Sequence, residues 1–227
     1  MRKPKMFSKF VSLVAASVIA VSAPIIASAA EYEWTFSQPW TRPIANKVIK
    51  KFAEDVKTET NGRVEIKVYY DGLLGTHDET FHGVQDGSIV MGVISPYVNL
   101  VPGGILNWMP WTISSWEAAE MAFDPKDGPL FKITEVAYNE VGMHTLFHIG
   151  QGAYGIGNIT RPIRTKEDFK NLKMRVSGST SFVRALQNMG EGTGMTVVTL
   201  PWADLYNALS RGVIDGNWDM WPSMVDE

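Results

Sequence analysis

Two kinds of hydrophobic periodicity alternate along the chain. Residues 31–38 and 63–70 alternate apolar and polar positions, which predicts two half-buried strands. Between them, apolar residues recur every four positions after Pro43, which predicts a helix with the proline in its first turn. The chain therefore begins as strand, helix, strand.

The alternation of strands and helices continues to the end of the chain. Further helices are predicted over residues 78–85, 115–123, 129–141, 181–189 and 203–211. Further strands are predicted over residues 88–94, 143–149, 173–176 and 195–199. Thr165 and Asp168 have the spacing of a capping box, which opens another short helix. This order predicts an α/β fold with largely parallel sheets.

A short internal repeat divides the chain into two similar halves. DGSIVMG (86–92) and RGVIDG (211–216) each place a glycine, and then a strand that contains isoleucine, directly after a short helix. We therefore expect two α/β lobes, one over residues 31–150 and the other over residues 151–227.

The first thirty residues have the pattern of an export signal. Four basic residues precede an apolar run over residues 11–26, and Ala27-Ser28-Ala29 forms an A-x-A cleavage signal. Serines and a proline interrupt the run, which favours a cleaved signal peptide over residues 1–30 against an uncleaved membrane anchor. We expect an exported, periplasmic protein.

Composition narrows the class of partner. Removing the leader takes away 4 of the 21 basic residues and leaves 17 against 24 acidic ones, a formal charge of −7. An acidic exported protein is a poor candidate for nucleic acid or anionic membrane surfaces. The chain has no cysteine, which excludes disulfides, thiol catalysis and cysteine-ligated metal sites.

The motifs that would indicate chemistry are weak. GQGAYG (150–155) matches a dinucleotide-binding pattern, but the residues after it predict extended or looped chain rather than the helix that would hold a pyrophosphate. His144 and His148 are four apart in a predicted strand, too far for easy chelation, and no third ligand stands nearby. Hydrolase signatures are missing. We expect no catalytic residue, metal or cofactor, and binding rather than catalysis.

Arg175 is the most unusual residue of a predicted strand. It lies between the apolar residues Met174 and Val176. A guanidinium keeps its charge, so burying it is tolerable only where an anion meets it. Either an acidic side chain of this chain or an external ligand must supply that anion.

The tryptophans give two interpretations. Most of the eight are expected to pack in the core. Trp40, Trp111, Trp202 and Trp218 instead flank proline or glycine turns, where the ligand-facing residues of α/β proteins gather. An aromatic wall beside an arginine would suit a small organic anion.

Four segments carry a resemblance to a known family. They read GRVEIKVYYDGLLGTHDET, VQDGSIVMGV, RPIRTKEDFKNLKMRVSGS and LPWADLYNALSRGVIDG. From about Glu31 to the last residue the chain resembles the DctP-type substrate-binding subunits of tripartite ATP-independent periplasmic (TRAP) transporters. The resemblance implies a two-lobed periplasmic binding protein fold with hinge strands, closing on a solute. It also implies a monomer that delivers the solute to a small and a large membrane permease subunit, driven by an ion gradient.

The resemblance also implies roles for particular residues. In this family the arginine of the L-K-x-R-V strand binds the substrate carboxylate, and here it is Arg175. The segment after the last Asp-Gly faces the ligand, and here it reads Asn217, Trp218, Asp219. The aromatic residue of the Pro-x-Phe/Trp turn is Trp202.

Three further positions refine the expected solute. Some relatives have a second arginine near GQGAYGIGN, where this chain has only Tyr154, and this argues against a large, multiply anionic solute. Trp40 is expected to join the site from its turn. Relatives that bind plain carboxylates carry a neutral amide at Asp219. Asp219 either pairs with Arg175, which favours a monocarboxylate, or contacts a positive group of an amine or zwitterion, or points to solvent.

We therefore expect a receptor for a small, monocarboxylate-type organic acid. The alternatives are a receptor for an amine-containing or aromatic solute and an exported α/β enzyme. Members of the family normally continue well past the position of Glu227, so we expect the sequence to be a fragment whose second lobe is truncated.

Overall fold

The computed structural model describes residues 30–220, apart from positions 41, 96, 105–111 and 151 and the side chain of Met220. The predicted signal peptide, except its last residue, and Trp111 lie outside the described residues. Within the described part of the chain, no helix is both long and apolar enough to cross a membrane.

The first sheet consists of three parallel strands in the order β2-β1-β3. The elements that build it are β1 (Tyr32–Ser37), α1 (Pro43–Glu59), β2 (Val64–Tyr69), α2 (His77–Asp86) and β3 (Met91–Gly92). Its core consists of buried residues of β1, α1 and β2: Phe36, Ile49, Val64 and Ile66. Asn61 and Gly62 both have positive φ, and this turn brings the chain from α1 into β2. Strand β3 has two residues and is shorter than the apolar run 88–94 predicted.

Two further helices follow, α3 (Trp116–Ala122) and α4 (Pro129–Asn139). The strand predicted over residues 143–149 is wrong, because the structure assigns no strand to that segment. Some of its apolar side chains pack individually instead of joining a sheet, whereas Leu146 is exposed. Met143 joins the cluster of α2 and α4, and the Phe147 ring lies 5.2 Å from Phe52 of α1.

The second sheet has four strands in the order β4-β7-β5-β6. It is built from β4 (Tyr154–Asn158), β5 (Lys173–Val176), α5 (Thr180–Met189), β6 (Thr196–Thr199), α6 (Leu205–Ser210) and β7 (Gly216–Met220), with short 3-10 helices at Lys166–Phe169 and Trp202–Asp204. Strand β4 is antiparallel to β7, and the other pairs are parallel. The α/β class is therefore confirmed. The Thr165–Asp168 capping box is also present, although it opens only a 3-10 helix.

The core of the second sheet also includes residues from the first half of the chain. Met174, Val176, Phe182 and Trp218 are buried together, and Tyr97 packs into the same cluster. The segment after β3 thus contacts the second sheet directly. Tyr97 therefore lies where the two halves of the chain meet.

Candidate functional site

A cleft of about 1640 Å³ lies at the carboxyl ends of the parallel strands. Its wall includes residues that follow the strands of both sheets: Trp40 after β1, Ser95 after β3, Ser177 after β5 and Leu200 after β6. Open α/β sheets bind their ligands at the carboxyl ends of their strands. The cleft is therefore the natural candidate for a ligand site.

Arg175 of β5 is buried at the wall of this cleft. Its neighbours Met174 and Val176 point into the core, so the alternation of a strand turns Arg175 to the opposite face. Its Nε and Nη2 donate to the carbonyl oxygen of Leu200, at 3.0 and 2.7 Å. Its Nη1 donates to Asn217 Oδ1 at 3.2 Å and to Asp219 Oδ2 at 3.0 Å. An acidic side chain of the chain itself therefore meets this buried cation.

The three consecutive residues predicted to face a ligand lie on two faces of β7. Asn217 and Asp219 are buried on the side of Arg175, and Asp219 lines the cleft whereas Asn217 is not among its lining residues. Trp218 points to the other face, where it is 1% exposed and stacks on Phe182 with ring centroids 4.5 Å apart. Trp218 borders the cleft, but its packing is that of a core residue.

Asp219 also faces a second arginine, which the sequence analysis did not identify. Asp219 Oδ1 lies 3.9 Å from Nη2 of Arg42, the residue just before α1. The Arg42 guanidinium carbon lies 3.9 Å from the centroid of the Trp202 ring, and that of Arg175 lies 5.7 Å from it. Trp202 therefore lies beside two cations. The signal in the sequence was an arginine directly before the helix-opening Pro43, where a capping residue is usual.

An aromatic stack forms another part of the cleft wall. Trp40 stacks on His77 with centroids 5.4 Å apart, and His77 contacts Tyr97 at 4.3 Å. His77 Nε2 lies 3.0 Å from both the backbone nitrogen and the carbonyl oxygen of Ser95, and His77 Nδ1 is hydrogen-bonded to Asp78 Oδ1 at 2.9 Å. This hydrogen bond holds the pKa of Asp78 below its usual value. The hydrogen bonds of His77 thus hold its ring in place, and Trp40 stacks on that ring. The sequence context of His77 did not reveal this role.

Tyr154 lies at the start of β4 and lines the cleft. Its ring makes edge contacts with Phe182 at 5.0 Å and with Trp218 at 6.4 Å. Burial raises the pKa of its hydroxyl well above the usual value, so the group stays neutral near pH 7. Because residues 154–158 form a strand, the glycines of GQGAYG open no helix that could hold a pyrophosphate.

The histidines of segment 143–149 are separated by their surroundings. His144 is exposed, whereas His148 packs between Phe123 and Phe131 with centroids 4.7 and 5.4 Å away. Burial lowers the pKa of His148 to about 4. In the part of the chain that the structure describes, no three His, Asp or Glu side chains come together in a way that could hold a metal ion.

Comparison with known proteins finds relatives that are similar over most of the chain. The sequence model of "Bacterial extracellular solute-binding protein, family 7" (DctP) matches residues 37–227. A solute-binding protein of Chromohalobacter salexigens is 28% identical over 78% of this chain and 51% of its own length. The ectoine-binding periplasmic protein TeaA of Halomonas elongata is 26% identical over 73% of this chain and 48% of its own.

A solved structure is similar over most of the chain. The TRAP periplasmic solute-binding protein of Roseobacter denitrificans, determined with bound β-D-glucuronate, has a TM-score of 0.76 and 26% identity. The match covers 84% of this chain and 62% of that protein. The chain thus spans 48–62% of the length of these relatives.

Proposed function

The chain belongs to the DctP family of bacterial extracellular solute-binding proteins, and we propose that it serves as the periplasmic receptor of a TRAP transporter. In this proposal it binds a small organic acid with one carboxylate. It then delivers the acid to the small and large permease subunits, works as a monomer and leaves its solute chemically unchanged.

One observation carries this proposal: Arg175 is buried at the cleft wall, with Trp202 beside it. A guanidinium pairs well with a carboxylate, because its planar set of N–H donors matches the carboxylate oxygens. These charged hydrogen bonds strengthen when the surroundings exclude water. The aromatic wall of Trp40 and Trp202 supplies apolar surface for the rest of a small organic solute.

The pairing of Asp219 supports a solute with a single carboxylate. Of the arrangements open to Asp219, the structure has the ion pair with Arg175, at 3.0 Å. A second carboxylate placed nearby would face the Asp219 carboxylate, and like charges repel. This favours a monocarboxylate over a dicarboxylate.

The runner-up is a receptor for an amine-containing solute. Its support is the aromatic wall, which could attract a cation through its ring faces, together with the likeness to a protein named for binding ectoine. The contacts of Asp219 with Arg175 and Arg42 weigh against it, because a solute cation would compete with two guanidiniums for the same carboxylate.

The two sheets correspond, in this proposal, to the two lobes predicted over residues 31–150 and 151–227. A solute held between them would be contacted by Trp40 from one lobe and by Arg175, Trp202, Asp219 and Tyr154 from the other. Asn217 would act behind this wall by orienting Arg175, to which it is hydrogen-bonded at 3.2 Å. Trp218 would support Tyr154 from the core side.

A ligand screen on the full-length protein tests the proposal. Monocarboxylates, dicarboxylates, amines and sulfonates are compared by the rise in melting temperature, and solutes that stabilise the protein are then titrated by calorimetry and recovered. We expect stabilisation by monocarboxylates and recovery of the solute unchanged. Stabilisation by amines alone would favour the runner-up, and a converted solute would indicate an exported enzyme.

A further inference from the structure

We propose that Arg42 is a second anion-binding residue of the cleft, and that Asp219, placed between Arg42 and Arg175, sets the net charge that the solute meets. This inference rests on the proposed function and deepens it. It assigns the preference for a single negative charge to three named side chains.

The local position of Arg42 is the first argument. Arg42 occupies the N-cap position of the 17-residue helix α1, and its side chain makes no capping hydrogen bond. Ser, Thr, Asp or Asn would stabilise the helix there, and the positive end of a helix disfavours a nearby cation. The Arg42 side chain therefore does not stabilise α1 as a capping side chain would. Residues that break a local rule in this way are typical of functional sites.

The tertiary contacts of Arg42 are the second argument. Its side chain is 11% exposed and lines the cleft. It contacts Asp219 and Trp202, which both belong to the half of the chain that forms the second sheet. Its guanidinium carbon lies 3.9 Å from the Trp202 ring centroid. A guanidinium over an aromatic face still has its N–H groups in its own plane, at its edge. Arg42 can therefore keep its contact with Trp202 and donate to an anion in the cleft.

The hydrogen bonds of Arg175 are the third argument. A guanidinium has five N–H groups. Arg175 makes four hydrogen bonds within the chain: two to Leu200 O, one to Asn217 and one to Asp219. A two-pronged contact with a solute carboxylate needs more donors than these bonds leave. Arg42, which faces the other oxygen of Asp219 at 3.9 Å, is the cation placed to supply them.

The charges on the cleft wall are the fourth argument. Among the described Lys, Arg, Asp and Glu residues that line the cleft, only Arg42, Arg175 and Asp219 have little exposure to water. Their formal charges leave one net positive charge. The other acidic residues of the wall, Asp78, Glu120 and Asp124, are exposed and screened by solvent. One carboxylate neutralises the buried cluster, whereas a second would be desolvated without a partner.

Matched pairs of acids provide the probes. D-gluconate and D-glucarate are open-chain six-carbon acids that differ by one terminal carboxylate, and butyrate and succinate form a second such pair. Both members of each pair are titrated by calorimetry into the full-length wild type and its variants. The ratio of the two dissociation constants measured on one sample does not depend on the folded fraction. A variant that is partly unfolded therefore still gives a valid ratio.

The expected results separate the roles of the two residues. Arg42→Gln should weaken binding of the preferred monoanion about tenfold or more, whereas the same change at Arg184, which is exposed on α5, should leave it unchanged. Arg42→Lys keeps the charge, so it should bind more weakly but retain the preference for the monoanion. Asp219→Asn should shift the ratio of dissociation constants about tenfold towards the dianion.

The failures are equally distinct. Arg42→Gln binding the monoanion within about twofold of wild type would overturn this inference and leave the proposed function standing. A ratio unchanged by Asp219→Asn would remove Asp219 from the control of charge preference. If wild type binds no member of either pair, and no other organic acid in the screen, the proposed function falls and this inference falls with it.

Discussion

The Arg175 guanidinium donates to the Asp219 carboxylate at 3.0 Å, and the two side chains are only 3% and 9% exposed. Removing two such ions from water is costly, and their attraction offsets that cost only while both are present. The pair lies at the wall of the cleft, where two adjacent parallel strands, β5 and β7, carry one partner each. It is therefore both a structural contact and the support of the proposed anion site.

Loss of the carboxylate should destabilise the fold. We expect Asp219→Asn to lower the free energy of unfolding by about 3 kcal/mol, because it leaves a buried guanidinium without its counter-ion. The matched control is Asp55→Asn. Asp55 pairs with Lys51 at 2.7 Å, but these side chains are 56% and 73% exposed, so the loss should be much smaller than for Asp219→Asn. Denaturant titration measures both, and equal losses would contradict the burial argument.

Solute binding should be visible in tryptophan fluorescence. Trp202 lines the cleft beside Arg42, so Trp202→Phe should remove a large part of the solute-induced change. Trp218→Phe should preserve most of that change but lower stability, because Trp218 stacks on Phe182 in the core. If Trp202→Phe still binds its solute and shows the full fluorescence change of wild type, Trp202 does not contact the solute.

Stability should depend on pH through His148. The pKa of His148 is lowered to about 4 by burial, whereas in the unfolded chain it is near 6.5. Between these values the unfolded state binds more protons, so the free energy of unfolding falls as the pH falls from about 6.5 to about 4. We expect His148→Leu to reduce this fall.

The neighbouring histidine serves as the control for this pH dependence. His144 is exposed in the same segment, so His144→Leu should leave the pH dependence of wild type intact. Denaturant titrations at several pH values between 4 and 7 give the comparison. If the free energy of unfolding depends on pH in the same way for His148→Leu and wild type, burial of His148 is not the cause of the fall in stability.

The elements predicted best from the sequence are those with a strong hydrophobic periodicity of their own. The helix after Pro43 and the strands around Val64 and Arg175 lie where they were predicted. The segment 143–149 has the alternation of a strand, but alternation does not show whether a partner strand is present. Strand β4 (Tyr154–Asn158) was expected to be extended or looped chain, because its glycines hide the period of two, and only pairing with β7 makes it a strand.

The candidate site was only partly predictable for the same reason. Arg175, Trp202 and Asp219 carried visible signals, namely a charge in an apolar strand and family motifs. Arg42 and His77 become cleft residues only through tertiary contacts, Arg42 with Asp219 and Trp202, and His77 with the backbone of Ser95. Such contacts join positions far apart in the chain, which no local pattern records.

Calorimetric titration of the full-length protein, as wild type and as Arg175→Ala, tests the central claim most directly. The titrant is the monocarboxylate that stabilises the wild type most in the ligand screen. We predict that Arg175→Ala loses roughly 2–5 kcal/mol of binding free energy, as when one partner of a buried charged pair is truncated. Arg175→Lys should also bind poorly, because an ammonium cannot keep the four hydrogen bonds that position the Arg175 guanidinium and still reach the solute. Binding by Arg175→Ala within about threefold of wild type, less than ~1 kcal/mol, would contradict the assignment of Arg175 as the residue that meets the solute carboxylate.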